Sequence, residues 1–146
     1  HARGAFIGLS LRHGMGHMAR SVLEGVSFGL NDSLSLMRRL GINPSNVILT
    51  GGGTRSNLWK QMLSDIFKSP CTLVNAQEGA AYGAAILAAV GIKVKNSVEE
   101  VSMEWIKETE RISPGADVEI YEKMYSHYIE LYPSLKDHFQ SMSDLG

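Results

Sequence analysis

The sequence predicts an α/β fold, because short apolar runs alternate with segments of helical periodicity. Residues 47–50 (VILT) and 71–74 (CTLV) have the length and residue types of buried strands. Between and after them, apolar residues recur every three or four positions, which is the spacing of one helix face. Strand, helix, strand, helix with short links is typical of parallel strands joined by right-handed crossovers.

The first part of the chain predicts one long helix. Residues 5–11 (AFIGLSL) are apolar and fit either a strand or an extended entry. A helix is then predicted over residues 15–40, ended by Gly41, because glycine readily adopts the left-handed conformation that closes helices. One face of this helix carries an apolar stripe, namely Met15, Met18, Val22, Val26, Leu30, Leu34 and Met37.

Two further helices follow the two predicted strands. The first begins near Asn57 and runs to about Lys68, where Pro70 stops it. The second is opened by residues 77–79 (QEG) and runs to about Val90, with Gly91 at its end. It is rich in alanine and glycine, and small side chains allow a helix to approach its neighbour closely.

The last third of the chain predicts mainly helices. A short, acidic surface helix is expected around Val98–Trp105, followed by an irregular stretch over residues 112–115. A tyrosine-rich stripe over residues 121–131 predicts another helix, which Pro133 is expected to interrupt before a final helix.

Composition limits the possible functions. The 146 residues are 44% hydrophobic and 20% charged, which predicts one globular domain. The formal net charge of −1 provides no basic field, which argues against general nucleic-acid binding. The one cysteine, Cys71, cannot form an internal disulfide, which suits a reducing cytoplasm. No apolar run approaches the roughly 20 residues of a membrane span, and no signal peptide is recognisable.

The most informative local feature is the triple glycine at residues 51–53, between the strand ending at Thr50 and the helix from Asn57. Consecutive glycines carry an entropic cost, and they leave the backbone bare for a flat or charged group to approach. The helix N-terminus that follows suits phosphate oxygens. Ser56 and Asn57 could cap the helix or hydrogen-bond a base edge. The alternative is a tight strand-to-helix turn with a serine cap.

Two rival motifs are weaker. Residues 14–19 (GMGHMA) match a dinucleotide-binding fingerprint, but the helix is long and Asp32, at about the expected distance, lies inside it. His13 and His17 are four residues apart and could share a helix face as metal ligands. No third ligand is near, so a hydrogen-bonded or surface histidine pair is expected and no metal site is predicted. No P-loop pattern is present.

Three blocks of the sequence resemble, in order and spacing, consecutive signatures of the FGGY carbohydrate kinases. They are residues 11–26 (LRHGMGHMARSVLEGV), 41–66 (GINPSNVILTGGGTRSNLWKQMLSDI) and 78–89 (EGAAYGAAILAA). Within the family, the likeness is greatest to xylulokinases. The resemblance implies the C-terminal lobe, in part, of a ribonuclease H-like, actin-like ATPase fold, with residues 1–146 as a nucleotide-binding domain fragment.

The resemblance also implies a site. Gly51, Gly52 and Gly53 would lie against the nucleotide, Ser56 would contact the adenine at a position where relatives often have asparagine, and Asn57 would lie beside it. The helix over residues 78–89 would line the same pocket or pack behind it. Tyr82 stands where leucine is common in the family, a departure expected to affect packing but to leave the pocket in place.

The resemblance implies that this chain lacks part of the catalytic apparatus. In the family, the N-terminal lobe binds the sugar, and the aspartate base lies upstream of the first matching block. Asp65 lies on a helix stripe beyond the glycines and is not that base. The implied parent reaction transfers the γ-phosphoryl of ATP, with Mg²⁺ held through the phosphates, to a sugar hydroxyl, converting D-xylulose to D-xylulose 5-phosphate. The 146-residue chain alone is expected to be inactive.

A reading from another functional class stays open. The chain could belong to a non-catalytic nucleotide-binding or assembly module of the actin-like superfamily. If the upstream strands of the lobe are absent, the two predicted strands leave unpaired edges, and such edges invite pairing with a second copy of the chain. ATP or ADP, a sugar bound by the other lobe, and another copy of the chain are therefore the expected partners.

Overall fold

The structure is a computed structural model that describes residues 1–76 and 78–145. The described chain forms a small mixed sheet with helices packed around it, which confirms the α/β prediction. Gln77, predicted to open the third helix, lies outside the described residues. In chain order the elements are α1 (Met15–Arg39), β1 (Val47–Leu49), α2 (Asn57–Phe67), β2 (Cys71–Val74), α3 (Gly79–Gly91), α4 (Val98–Trp105), β3 (Glu108–Ile112) and α5 (Val118–Ser143).

The sheet has the strand order β1-β2-β3. β1 and β2 are parallel, with Val47 opposite Cys71 and Leu49 opposite Leu73, which confirms the predicted parallel pair. Their carboxyl ends therefore lie at one edge of the sheet, where the glycine turn and the start of α3 follow them. β3 pairs with β2 in the antiparallel direction, with Cys71 opposite Ile112.

The sequence did not predict β3. The irregular stretch that it predicted, residues 112–115, overlaps the strand only at Ile112, the last residue of β3. Its sequence, ETERI, is charged, and all of its residues except Ile112 are exposed. Glutamate and arginine have no preference for strands, so pairing with β2 determines this conformation. Charged side chains also suit an edge strand, because they discourage further strand pairing.

The main core lies between α1, α2, α5 and the sheet. Its largest contribution comes from α2, where Met62, Leu63, Ile66 and Phe67 are buried together. Phe28 of α1 contacts the ring of Tyr121 of α5 edge-to-face, at 6.1 Å between centroids. The buried members of this cluster are Phe28, Leu34, Met62, Leu63, Ile66, Phe67, Cys71 and Tyr121. Burial raises the pKa of the Cys71 thiol to about 11, so this thiol is protonated and unreactive at neutral pH.

Polar contacts fix the ends of the first two helices. Gly41, with a φ of +82°, follows α1 as predicted. Arg38 in the last turn of α1 donates hydrogen bonds to the carbonyl of Phe67 and the hydroxyl of Ser69, both at 2.8 Å. These bonds satisfy a terminal carbonyl of α2 and join the ends of the two helices.

α5 is continuous through Pro133, so the predicted interruption is wrong. Proline removes one backbone donor, but Pro133 is exposed, and water can hydrate the carbonyl that this leaves free. The tyrosines of α5 attach the helix to α1. Tyr125 donates to Asp32 at 2.6 Å, and Arg20 donates to Tyr121 at 2.8 Å.

Residues 5–11 form no strand, so the first of the two predicted possibilities is wrong, and the segment has no regular secondary structure. Gly8 has a φ of +80°, which turns the backbone within the segment. Side chains along it, including Phe6 and Ile7, are exposed.

Candidate functional site

The glycine turn, residues 51–55, connects β1 to α2 at the carboxyl edge of the sheet. Gly51 has a φ of +89°, and residues Gly52–Arg55 form a single 3₁₀ turn. Thr54 fixes this turn, since its amide and its hydroxyl donate to the carbonyl of Gly51 at 3.2 and 2.7 Å. The turn is therefore held by its own hydrogen bonds.

The three glycines have different local requirements. Gly51 needs glycine for its positive φ, which other residues rarely adopt. Gly53 needs it for packing, because a Cβ there would lie 2.8 Å from Cζ3 of the Trp59 ring. At Gly52, by contrast, φ is ordinary and no atom of the described chain lies within 4 Å of the position that a Cβ would occupy. The fold explains two of the glycines, whereas neither backbone conformation nor packing explains the glycine at position 52, which is exposed.

Ser56 and Asn57 begin α2, beside the turn. The hydroxyl of Ser56 accepts a hydrogen bond from the amide of Trp59 at 3.2 Å, so the predicted capping role is confirmed. The side chain of Asn57 is exposed at the first helical position. Contact of either residue with a base stays a prediction.

The N-terminus of α3 lies beside the start of the glycine turn. A Cβ built at Gly79 would lie 3.6 Å from the hydroxyl of Thr50, the residue that precedes Gly51. The N-termini of α2 and α3 therefore both follow the carboxyl ends of the two parallel strands. Helix N-termini offer free amides and partial positive charge, and ligands of open α/β sheets bind at this edge.

A cleft of about 570 Å³ follows the outer edge of β1, between α1 and α2. Gly53 and Thr54 line one end of it, but Gly51, Gly52, Ser56 and Asn57 do not. Most of its wall is apolar, with Leu30, Met37 and Ile48 among the lining side chains. The cleft does not bring the predicted site residues together, and its position suits additional strand and core packing better than a charged ligand.

The rival motifs have structural explanations. His13 and His17 lie with ring centroids 5.4 Å apart, and each accepts a hydrogen bond from a backbone amide, those of Ser10 and Gly14. This confirms the hydrogen-bonded surface pair, and residues 1–76 and 78–145 contain no group of three or more His, Cys, Asp or Glu side chains arranged to hold a metal ion. Asp32 lies within α1, away from any strand end, so the structure gives the dinucleotide fingerprint no support.

Asp65 is buried and structural. Its carboxylate accepts hydrogen bonds from the side chain of Gln61 at 2.9 Å and from the amide of Gly115 at 2.6 Å. These contacts connect α2 to the loop after β3. That Asp65 is not the catalytic base of the family stays a prediction.

Sequence comparison places residues 1–92 in the C-terminal domain of the FGGY family of carbohydrate kinases. The chain belongs to this family. A xylulose kinase from Staphylococcus xylosus is 34% identical over 92% of this chain and 27% of its own length. A gluconokinase from Bacillus subtilis is 32% identical over 97% of this chain and 28% of its own length. The family prediction, with xylulose kinases among the relatives, is confirmed.

The fold agrees with this family assignment. The crystal structure of a xylulose kinase from Rhodospirillum rubrum superposes with a TM-score of 0.81 at 31% sequence identity, covering 95% of this chain and 28% of that protein. The predicted partial C-terminal lobe of an actin-like ATPase fold is confirmed. The FGGY chain described here spans little more than a quarter of the length of the relatives it matches. None of the helices in the described ranges is long and apolar enough to cross a membrane.

Trp59 is a residue of the site that the sequence analysis did not identify. Its ring lies against Gly53, its amide donates to Ser56, and its indole N–H donates to Ser27 of α1 at 3.0 Å. The available signal was its position three residues after a capping serine, where its backbone amide is one of those that a cap satisfies.

Proposed function

We propose that residues 1–146 form the nucleotide-binding lobe of an ATP-dependent sugar kinase. The observation that carries the proposal is the bare peptide at Gly52, which has open space in front of it and no local requirement for glycine. In this proposal adenosine lies against Gly51, Gly52 and Gly53, while Ser56 and Asn57 contact the adenine.

The contribution of this lobe to the reaction is to position ATP. The α3 N-terminus at the same sheet edge suits the negatively charged phosphates, whereas the Gly52 peptide and the start of α2 suit the base and ribose. Phosphoryl transfer breaks the bond between the γ-phosphorus and the β–γ bridging oxygen, and it forms a bond to the sugar hydroxyl oxygen, whose proton passes to a carboxylate. By fixing adenosine, the lobe determines where the γ-phosphate points.

Within residues 1–76 and 78–145, no three or more His, Cys, Asp or Glu side chains are grouped to hold a metal ion. When bound, Mg²⁺ would neutralise phosphate charge, and it would be held through the phosphates. The sugar site and the proton-accepting aspartate would belong to the N-terminal lobe. We propose D-xylulose as the acceptor, supported by the xylulose kinase relatives, with gluconate as its competitor because a gluconokinase is a relative of similar identity.

The test substitutes Gly52 with valine in the protein expressed from its complete reading frame. The new side chain would occupy the surface on which the nucleotide lies, so we expect the Kd for ATP to rise by roughly 100-fold or more. Gly4→Val is the matched control, since Gly4 also has open space around it and lies in the N-terminal segment. Isothermal titration calorimetry measures both. Equal ATP affinity in the two variants would contradict the proposal.

Activity separates the kinase from the non-catalytic assembly module. The 146-residue chain is expected to release no ADP with any sugar, because the acceptor site and base are elsewhere. The complete reading frame is expected to release ADP with D-xylulose faster than with gluconate. Faster turnover of gluconate would make gluconate, and not D-xylulose, the proposed substrate. ATP binding without turnover of any sugar would favour the non-catalytic assembly module.

A further inference from the structure

We infer that Trp59 is a positioning residue for ATP. Its side chain fixes the position of the glycine turn relative to α1, and the turn then positions the nucleotide. The inference rests on the proposed function, since it assumes that the nucleotide lies against the turn. Trp59 is not proposed to touch the reacting atoms.

Three contacts of Trp59 support this role. The six-membered part of its indole ring packs so closely beneath Gly53 that an added Cβ would meet Cζ3 and Cε3 at 2.8 and 3.0 Å. Its backbone amide donates to Ser56, the cap that joins the turn to α2, at 3.2 Å. Its indole N–H donates at 3.0 Å to the hydroxyl of Ser27 on α1. One side chain thus connects the turn with another helix.

Ser27 is a firm attachment point for the ring. It is completely buried, and its hydroxyl donates to the carbonyl of Leu23 at 2.8 Å while accepting from the indole. Because the Ser27 hydroxyl proton is donated to Leu23, the hydroxyl is oriented to accept from the indole. The next residue, Phe28, packs against three tyrosines of α5, which restrain α1 in turn.

The consequence concerns the neighbouring glycine. Gly53 rests on the ring, and Gly52 is joined to Gly53 within the same 3₁₀ turn. Any tilt of the indole must therefore move the Gly52 peptide. Such a movement would weaken nucleotide binding and leave the sugar site unaffected, because no part of the described chain near Trp59 is proposed to contact the sugar.

The first test removes the indole–serine hydrogen bond from each side, using Trp59→Phe and Ser27→Ala in the protein from its complete reading frame. Each is expected to raise the KM for ATP roughly five-fold, the effect of one buried hydrogen bond, with the KM for the sugar unchanged. The double variant should match Trp59→Phe, because Ser27→Ala removes a bond that Trp59→Phe has already removed. Trp105→Phe, at the other tryptophan, is the control and should leave both constants unchanged.

The second test uses the close contact directly. Gly53→Ala should raise the KM for ATP strongly, because the new methyl group collides with the ring. Adding Trp59→Leu removes the collision, so the double variant should bind ATP better than Gly53→Ala and no better than Trp59→Leu alone. If the double variant binds ATP no better than Gly53→Ala, then the ligand and not Trp59 requires the bare peptide, and the inference is overturned.

The outcomes separate this inference from the proposed function. If Gly52→Val weakens ATP binding but Trp59→Phe and Ser27→Ala both keep a KM within about two-fold of the parent, only the role of Trp59 is wrong. A change in the KM for the sugar equal to that for ATP would also overturn it, since a general loss of structure would be the cause. If Gly52→Val binds ATP as tightly as the parent, the proposed function is wrong, and the inference about Trp59 loses its basis.

Discussion

The two faces of α1 differ sharply in burial. The inner face packs against α2 and α5, with Ser27, Phe28, Asn31 and Leu34 buried. The outer stripe stays exposed, and its side chains include Met15, Val22, Val26, Leu30 and Met37. Of the seven residues in the predicted apolar stripe, Leu34 is the buried one. Periodicity therefore detected a real apolar face, but this face has no partner within the described chain.

The outer stripe continues into the edge of the sheet. β1 is the first strand in the order β1-β2-β3, so within the described residues its outer edge pairs with no strand. Ile48 on this strand is 56% exposed, and the apolar cleft lies between it and α1. An unpaired edge beside an apolar helix face suits added strands. We propose that the rest of a longer chain covers this surface, and that a second copy pairs there when the 146-residue chain is isolated.

The largest expected effect contrasts the two faces of α1 directly. Phe28→Ala on the inner face should lower the free energy of unfolding of the 146-residue chain by about 3–5 kcal/mol, because the cavity lies in the core. Val26→Ala on the outer stripe should change it by less than about 0.5 kcal/mol, because Val26 is already 47% exposed. Urea denaturation followed by circular dichroism measures both. Equal losses would mean that the outer stripe is buried in solution.

The second prediction concerns the open edge of β1. Ile48→Lys places a charge on the exposed strand and should shift the isolated chain from self-associated to monomeric in multi-angle light scattering. Met103→Lys, on the 79% exposed Met103 of α4, adds the same charge elsewhere and should leave association unchanged. A parent chain that is strictly monomeric at high concentration would remove the basis for this prediction.

The sequence was sufficient where local signals and packing agree. The parallel strands, the helix after the glycine turn and the serine cap all have strong local patterns, and the structure contains each of them. It failed where tertiary contacts determine the outcome. The charged strand β3 exists because β2 pairs with it, and α5 passes through the exposed Pro133 because packing of its tyrosines stabilises the helix on α1.

The candidate site shows the same division. A run of three glycines signals a backbone requirement, but the sequence cannot distinguish a positive φ at Gly51 from a ring contact at Gly53. That distinction needs the position of the Trp59 ring, which no local pattern predicts and which a hydrogen bond to Ser27 of α1 helps to fix. Gly52 is the one of the three glycines that neither backbone conformation nor packing explains, and contact of the three with a nucleotide stays a prediction.

The most direct measurement of the central claim is a crystal structure of the protein from its complete reading frame with Mg²⁺ and a non-hydrolysable ATP analogue. The account predicts the adenosine moiety in van der Waals contact with the backbone of Gly52, with the phosphates directed towards the start of α3. An analogue bound elsewhere, with Gly52 still facing solvent, would contradict it.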